Sequence, residues 1–471
     1  MIAKQMALAL PGLVPGVALA HAFGEPVQLP MPYDLYILGC VLALLLSFAL
    51  LALTGRRNTG QHTVGLFSLP VSASTWATAQ QFGAILLLLT LLFCIVTGLF
   101  GNRDSQRNFN MTFFWIWFAL GGAYLSMFLG HWYKAQNPWL GMPHARSMLR
   151  YPAWLGHWPA LLQYMGLVAV ELFVHTNPKS LAVLIAAWLL FNGTGVYLFG
   201  MSKWLQRGEP FAVLFRLFAA CSPLRIQRSN AGTMRLHFTL PFASLHHARI
   251  VHPAHILFVF FLLASTAFDG LRETKVYFNV FWQDPMGWLT LWYDRHPMQI
   301  YPTVRPFFVA WEALLLVLLP LLYLGLFALF LALGRWVSGG RQSLWALVVI
   351  HTPTLVPIAV VYHLTHYYTL LFSQGLKLRG MVSDPFGWGW NIFGNAITGR
   401  LPWLPDMANI WTSQVVLILL GHVAAVWLAH RHALRLERSP VHALLNQLPM
   451  LLLMVIFTSV GLWVLAQPLQ G

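Results

Sequence analysis

Residues 313–334 read ALLLVLLPLLYLGLFALFLALG, directly after Glu312 and directly before Arg335, with no charged side chain inside the stretch. A helix of about 20 apolar residues covers a hydrocarbon core of about 30 Å, so this run spans a bilayer. Working outward from it, comparable runs recur to both ends of the chain. They predict helices at roughly 34–54, 81–100, 112–132, 155–175, 181–201, 250–269, 306–334, 344–373, 410–431 and 449–467. The composition agrees: the 471 residues are 58% hydrophobic and only 9% charged, against about 25% charged in a soluble domain. The fold class is an all-α polytopic transmembrane helical bundle of about ten helices, with no stretch that reads as a separate soluble domain.

The net charge is +15, from 28 Lys and Arg against 13 Asp and Glu. In a chain this apolar the excess marks loops at a membrane surface, so the lipid bilayer and not nucleic acid is the partner it implies. With the N-terminus outside, the loops on the inner side hold 17 Lys and Arg and those on the outer side 10. The bias predicts both termini outside, a basic cytoplasmic loop at 202–249 and outer loops at 270–305 and 374–409; in a bacterial inner membrane that outer side is the periplasm, so both termini and these loops would be periplasmic. Within the first of these, EPFAVLFRLFAACSPL suggests an amphipathic helix lying along the membrane surface. The outer loops carry Trp282, Trp288, Trp292, Trp388, Trp390 and Trp403, as an interfacial aromatic belt does. Residues 1–20, MIAKQMALALPGLVPGVALA, place one Lys before an apolar stretch ending in Ala18-Leu19-Ala20, the pattern of a cleaved signal peptide. Residues 21–471 then form the single transmembrane domain. Cleavage would expose His21, whose amine and imidazole suit copper; the alternative is an ordinary exposed residue. The cysteines, Cys40, Cys94 and Cys221, form no CxxC motif.

Six ionisable groups fall inside the apolar segments: Glu171, Asp269, Glu312, His363, His366 and His422. At membrane depth each costs roughly 2.5–3.5 kcal/mol on insertion scales, so such groups mark function. All six fall in the outer half or at the centre of the predicted bundle. His363 and His366 lie three apart in YHLTHY and project from one side of a helix. The residues admit three readings. In one, His363, His366, His422 and Asp269 bind a divalent transition metal (zinc, copper or iron) that activates water, with Glu312 and Glu171 as catalytic carboxylates. In another, histidines ligate haem iron, which the i,i+3 pair disfavours because haem needs opposed ligands. In the third, the groups form a hydrogen-bonded proton relay, as in transporters. Glu312, deeper than Glu171, is the carboxylate expected within reach of the histidines.

His246, His247, His252 and His255, together with His131, His157, His351, His430 and His432, fall near the inner face, where a wet basic surface accounts for them. Asp384 in SDPFGWGWNIFG fits a turn cap. There is no GxSxG elbow, P-loop or GxGxxG fingerprint, so neither a serine-hydrolase nor a nucleotide site has support.

Several segments carry a resemblance. They are Ala20-His21, TFFWIWFALGG at 112–122 with NPW at 137–139, RGEPFAVLFRLFAACSPL at 207–224 and STAFDG at 265–270. VPIAVVYHLTHY at 356–367, SDPFGWGWNIFG at 383–394, GHVAAVWLAHRHALRL at 421–436 and LPMLLLMVIFTSVGLWVLAQP at 448–468 complete the set. In these the chain resembles the bacterial multi-pass membrane proteins known as fenitrothion hydrolase, part of a two-component organophosphate-degrading system. The resemblance implies a phosphotriester hydrolase acting on an apolar small-molecule substrate, and a second membrane subunit. It assigns no catalytic residues. The metal reading suits that chemistry, since a metal-bound hydroxide attacks phosphorus while the cation offsets charge on the leaving phenolate. The same ligands would equally serve a metal- or haem-dependent membrane oxidoreductase, and the buried polar groups a non-enzymatic transporter or assembly subunit.

Overall fold

The computed structural model describes residues 33–54, 65–140, 147–174, 176–228, 234–395, 406–437 and 439–466. The signal segment, His21, Arg56, Arg57, Arg146, Arg400 and Trp403 lie outside the described residues. The apolar runs form helices: α1 Tyr33–Thr54, α2 Ala73–Phe100, α3 Phe109–Leu129, α4 Trp158–Phe173, α5 Pro178–Phe199, α6 Met201–Arg207, α7 Pro210–Ala219, α8 Pro253–Arg272, α9 Tyr301–Ser338, α10 Leu344–Ser373, α11 Met407–Leu436 and α12 Pro440–Ala466. Among the described residues nine helices are long and apolar enough to cross a membrane. The tenth predicted span, α4, has 16 residues and a length of about 24 Å. It stops where Arg272 donates to the Leu172 carbonyl at 2.9 Å, satisfying an oxygen that a helix end leaves free.

Successive spans alternate in direction, so the bundle has an aromatic end and a basic end. At the aromatic end Asn102 N–H donates to the Phe386 carbonyl and Ser105 to that of Thr176. At the basic end Leu149 N–H donates to the Leu198 carbonyl, and Gly130, at φ +77°, lies against Leu224. α8 is buried nearly all round, from Ala254 to Asp269, because α4, α9, α10 and α12 surround it. Helices at the perimeter instead expose Phe82, Leu86 and Leu89 on α2 and Leu314, Leu321 and Leu322 on α9, as a lipid-facing surface does.

Two features depart from the expectation. A three-stranded antiparallel sheet covers the basic end, in the order β1-β3-β2, from β1 Gly65–Val71, β2 Leu224–Arg228 and β3 Met234–Thr239. And α7 does not lie on the membrane surface. Phe211, Val213, Leu214, Phe215, Leu217 and Phe218 are buried. The helix is apolar on too many sides to rest at an interface, so α6 and α7 fold back into the bundle as a re-entrant hairpin. Trp204 of α6 packs on Gly195 of α5, and Phe211 of α7 meets Phe118 of α3 and Trp188 of α5 at ring separations of 4.7 and 5.3 Å. Backbone at this depth needs internal partners. Glu209, wholly buried, provides them: its carboxylate accepts from the N–H groups of Phe211 and Ala212 and from Trp188 Nε1.

Candidate functional site

The last turn of α8 and the C-terminal half of α10 meet at the aromatic end. Asp269 Oδ2 lies 3.0 Å from His366 Nε2 and accepts a 2.8 Å hydrogen bond from the Tyr367 hydroxyl. Neighbouring residues on a helix point about 100° apart, so Asp269 sits over the ridge between them. Gly270 makes the close approach feasible. A Cβ there would fall 3.1 Å from Val464 Cγ1 and 3.4 Å from His366 Cε1. One turn on, Arg272 pairs with Glu312 of α9 at 3.4 Å and lies over the Phe173 ring of α4 at 5.6 Å. Charge-assisted contacts thus join α4, α8, α9 and α10 in one layer. Glu273, just beyond α8, has its carboxyl pushed above the ordinary range, first by burial and then by Asp269, while Arg272 and His366 act the other way.

His363 faces differently from His366. Three residues turn a helix through about 300°, which leaves the two rings about 60° apart. The His363 ring sits among Tyr124, Phe218 and Tyr367, with centroids at 6.0, 5.4 and 4.9 Å. It is buried, and its Nδ1 has no hydrogen-bond partner among the described residues. With Glu171, Tyr164, Ser265, Thr266 and Tyr367 it lines a cavity of about 70 Å³. The cavity's other wall is a π-helical stretch of α3, Thr112–Gly121, which contributes Trp115, Ile116, Ala119 and Leu120. Such wide-turned stretches occur at functional sites. Glu171 is exposed, at the cavity's edge.

His422 is elsewhere. Its Nδ1 lies 2.8 Å from the carbonyl of Ile418, one turn back on α11, so that nitrogen carries the proton. The ring lines a separate apolar cavity of about 120 Å³ between α8, α9, α10, α11 and α12.

The expected shell of His363, His366, His422 and Asp269 is therefore not assembled. Only His366 and Asp269 touch, and among the described residues no three His, Cys, Asp or Glu side chains are gathered so as to hold a metal ion. The donor set does not fit a zinc, copper or iron centre, which takes three or four ligands at about 2.0–2.3 Å. Glu312 also departs from expectation: it meets Arg272 and not the histidines, and it is Glu171 that shares a cavity with His363. Arg272 and Tyr367 were not singled out from the sequence, although Asp269-Gly270-Leu271-Arg272 places opposite charges three apart on one helix. Comparison with protein-family models, curated proteins and solved structures finds no match to the chain.

Proposed function

We propose that this chain is a membrane-embedded proton-transfer protein whose acid–base centre is the Asp269–His366–Tyr367 cluster. The observation that carries this reading is the single carboxylate oxygen shared by an imidazole and a phenol inside the bundle. Both partners hold exchangeable protons, and protonating the carboxylate weakens its bond to a protonated imidazole, so charge state and helix contact are coupled. His363 and Glu171, on the adjoining cavity, extend the chain of titratable groups. Arg272 and Glu312 hold α4, α8 and α9 in register around it. The test is proton uptake by liposomes containing the purified protein and an internal pH-sensitive dye, under an imposed potassium potential. Asp269→Asn and His366→Gln should abolish uptake that the wild type supports. A wild type without uptake, or an Asp269→Asn variant at the wild-type rate, would sink the proposal.

A second reading is favoured by the neighbouring apolar cavity. Leu271 and Val464 line it, and Val464 and the His366 ring both lie close to Gly270. An apolar ester taken up from lipid would rest there, beside an imidazole oriented by a carboxylate. His366 would accept a proton from water attacking phosphorus, and Asp269 would stabilise the imidazolium. The phosphotriester class comes from the family resemblance alone. Release of nitrophenolate from an aryl phosphotriester, retained in the presence of a chelator and lost in His366→Gln, is the expected result of this reading. No turnover by the wild type would remove it.

A further inference from the structure

We propose that the basic end carries a phosphate-binding site built from His131, Lys134 and Arg216. A cavity of about 440 Å³ opens there between the end of α3 and the α6–α7 hairpin, and Ser126, Ser202 and Gln206 complete its polar lining. Among the described residues no carboxylate lines it. Tyr133 is only 2% exposed, its ring wedged against Phe215 and Trp132, and its hydroxyl has no hydrogen-bond partner among the described residues.

Among the described residues Lys134 and Arg216 have no neutralising partner in the lining. Arg216 is fixed by donating from Nη2 to the Gln206 carbonyl at 2.8 Å, which leaves its other N–H groups for a ligand. His131 has its pKa lowered to about 4, first by the enclosure of its ring and then by Arg216, Lys134 and Arg225. Like charges this crowded are relieved by an anion. A phosphate group, with acceptor oxygens on every side, can take the guanidinium and the ammonium at once. The shared chemistry has two sources: the headgroup of an anionic phospholipid, or phosphate free in water.

The full-length protein in neutral detergent, followed by its thermal midpoint, separates these sources. One arm adds inorganic phosphate, with chloride at equal ionic strength as control. The other adds phosphatidylglycerol, with phosphatidylcholine as control. A midpoint raised by inorganic phosphate assigns the soluble source; one raised by phosphatidylglycerol alone assigns the headgroup. In either case Arg216→Gln should weaken the half-saturating concentration about tenfold or more, as loss of a charge-assisted hydrogen bond does. Should Arg216→Gln fail to fold, Lys134→Gln at the exposed rim carries the same expectation. No shift over either control, or a shift unchanged in these variants, overturns the proposal.

Discussion

Breaking the ion pair between Arg272 and Glu312 should destabilise the bundle far more than deleting it whole. The side chains are only 19% and 4% exposed and lie 3.4 Å apart. Arg272→Met leaves the Glu312 carboxylate buried without its cation. Glu312→Leu removes the carboxylate from a guanidinium that keeps the Leu172 carbonyl and the Phe173 ring. Removing one member of a buried pair costs about 3–5 kcal/mol, mostly because a charge remains buried alone. The double variant leaves no charge behind. Its cost is the lost bond to Leu172, about 1–3 kcal/mol, less whatever is recovered by apolar packing. The coupling between the two changes should therefore be at least about 2 kcal/mol. Reversible unfolding of the four proteins in mixed micelles titrated with sodium dodecyl sulfate measures it directly. If the double variant loses the sum of the single losses, the pair does not act as a unit and the account of how α4, α8 and α9 are held together fails.

Three further outcomes follow from the geometry. Gly270→Ala would place a methyl 3.4 Å from His366 Cε1 and 3.1 Å from Val464, so proton uptake or ester hydrolysis should drop about tenfold or more while unfolding shifts by no more than about 1–3 kcal/mol; wild-type activity in that variant would place the ring away from the reaction. Glu209→Ala strips the α7 N-terminus and Trp188 of their acceptor and should cost about 2–4 kcal/mol, with Glu209→Gln recovering part of it; equal stability of the two variants would show that the carboxylate does not hold the hairpin. His157 stacks on His255 at 4.2 Å beside His252, and its pKa is lowered to about 3 by burial, then by Arg216, His252 and Arg207. Its unfolded value is about 6.5, so the unfolded chain binds the extra proton between the two values; stability is complete above about pH 6.5 and is lost as pH falls toward 3, by up to about 2 kcal/mol at pH 5. A His157→Phe variant should lose less stability between pH 7 and pH 5, and an identical acid loss would assign the effect to other groups.

The spans could be read because a lipid-facing helix must be apolar over a fixed length, and length and apolarity are both written in one dimension. Predicted and observed ranges for α10 coincide at 344–373, and that for α9 differs only by the polar turns that continue it to Tyr301 and Ser338. Depth was legible for the same reason. Azimuth was not. His363, His366 and His422 have compatible depths, yet they face an aromatic box, a carboxylate and a separate cavity, because helix rotation depends on packing partners distant in sequence. The buried face of α7 was hidden likewise: a ten-residue apolar helix reads as interfacial until Phe118 and Trp188 are known to cover it. The sheet did leave a trace. Arg225-Ile226-Gln227 and Arg235-Leu236-His237-Phe238 alternate polar and apolar residues with period two.

The hairpin of α6 and α7 also constrains the order in which the molecule is made. At ten residues α7 rises about 15 Å, half a hydrocarbon core, so it cannot be threaded across the bilayer as a span. Its C-terminal Phe218 rests on the His363 ring, a partner synthesised about 145 residues later, or roughly 7–30 s at ordinary rates of chain growth. During that interval the segment has α3 and α5 to lean on but lacks α10. Biogenesis of this protein therefore includes a step in which a half-sheltered helix waits at the membrane, and the helix settles only once α10 has been inserted.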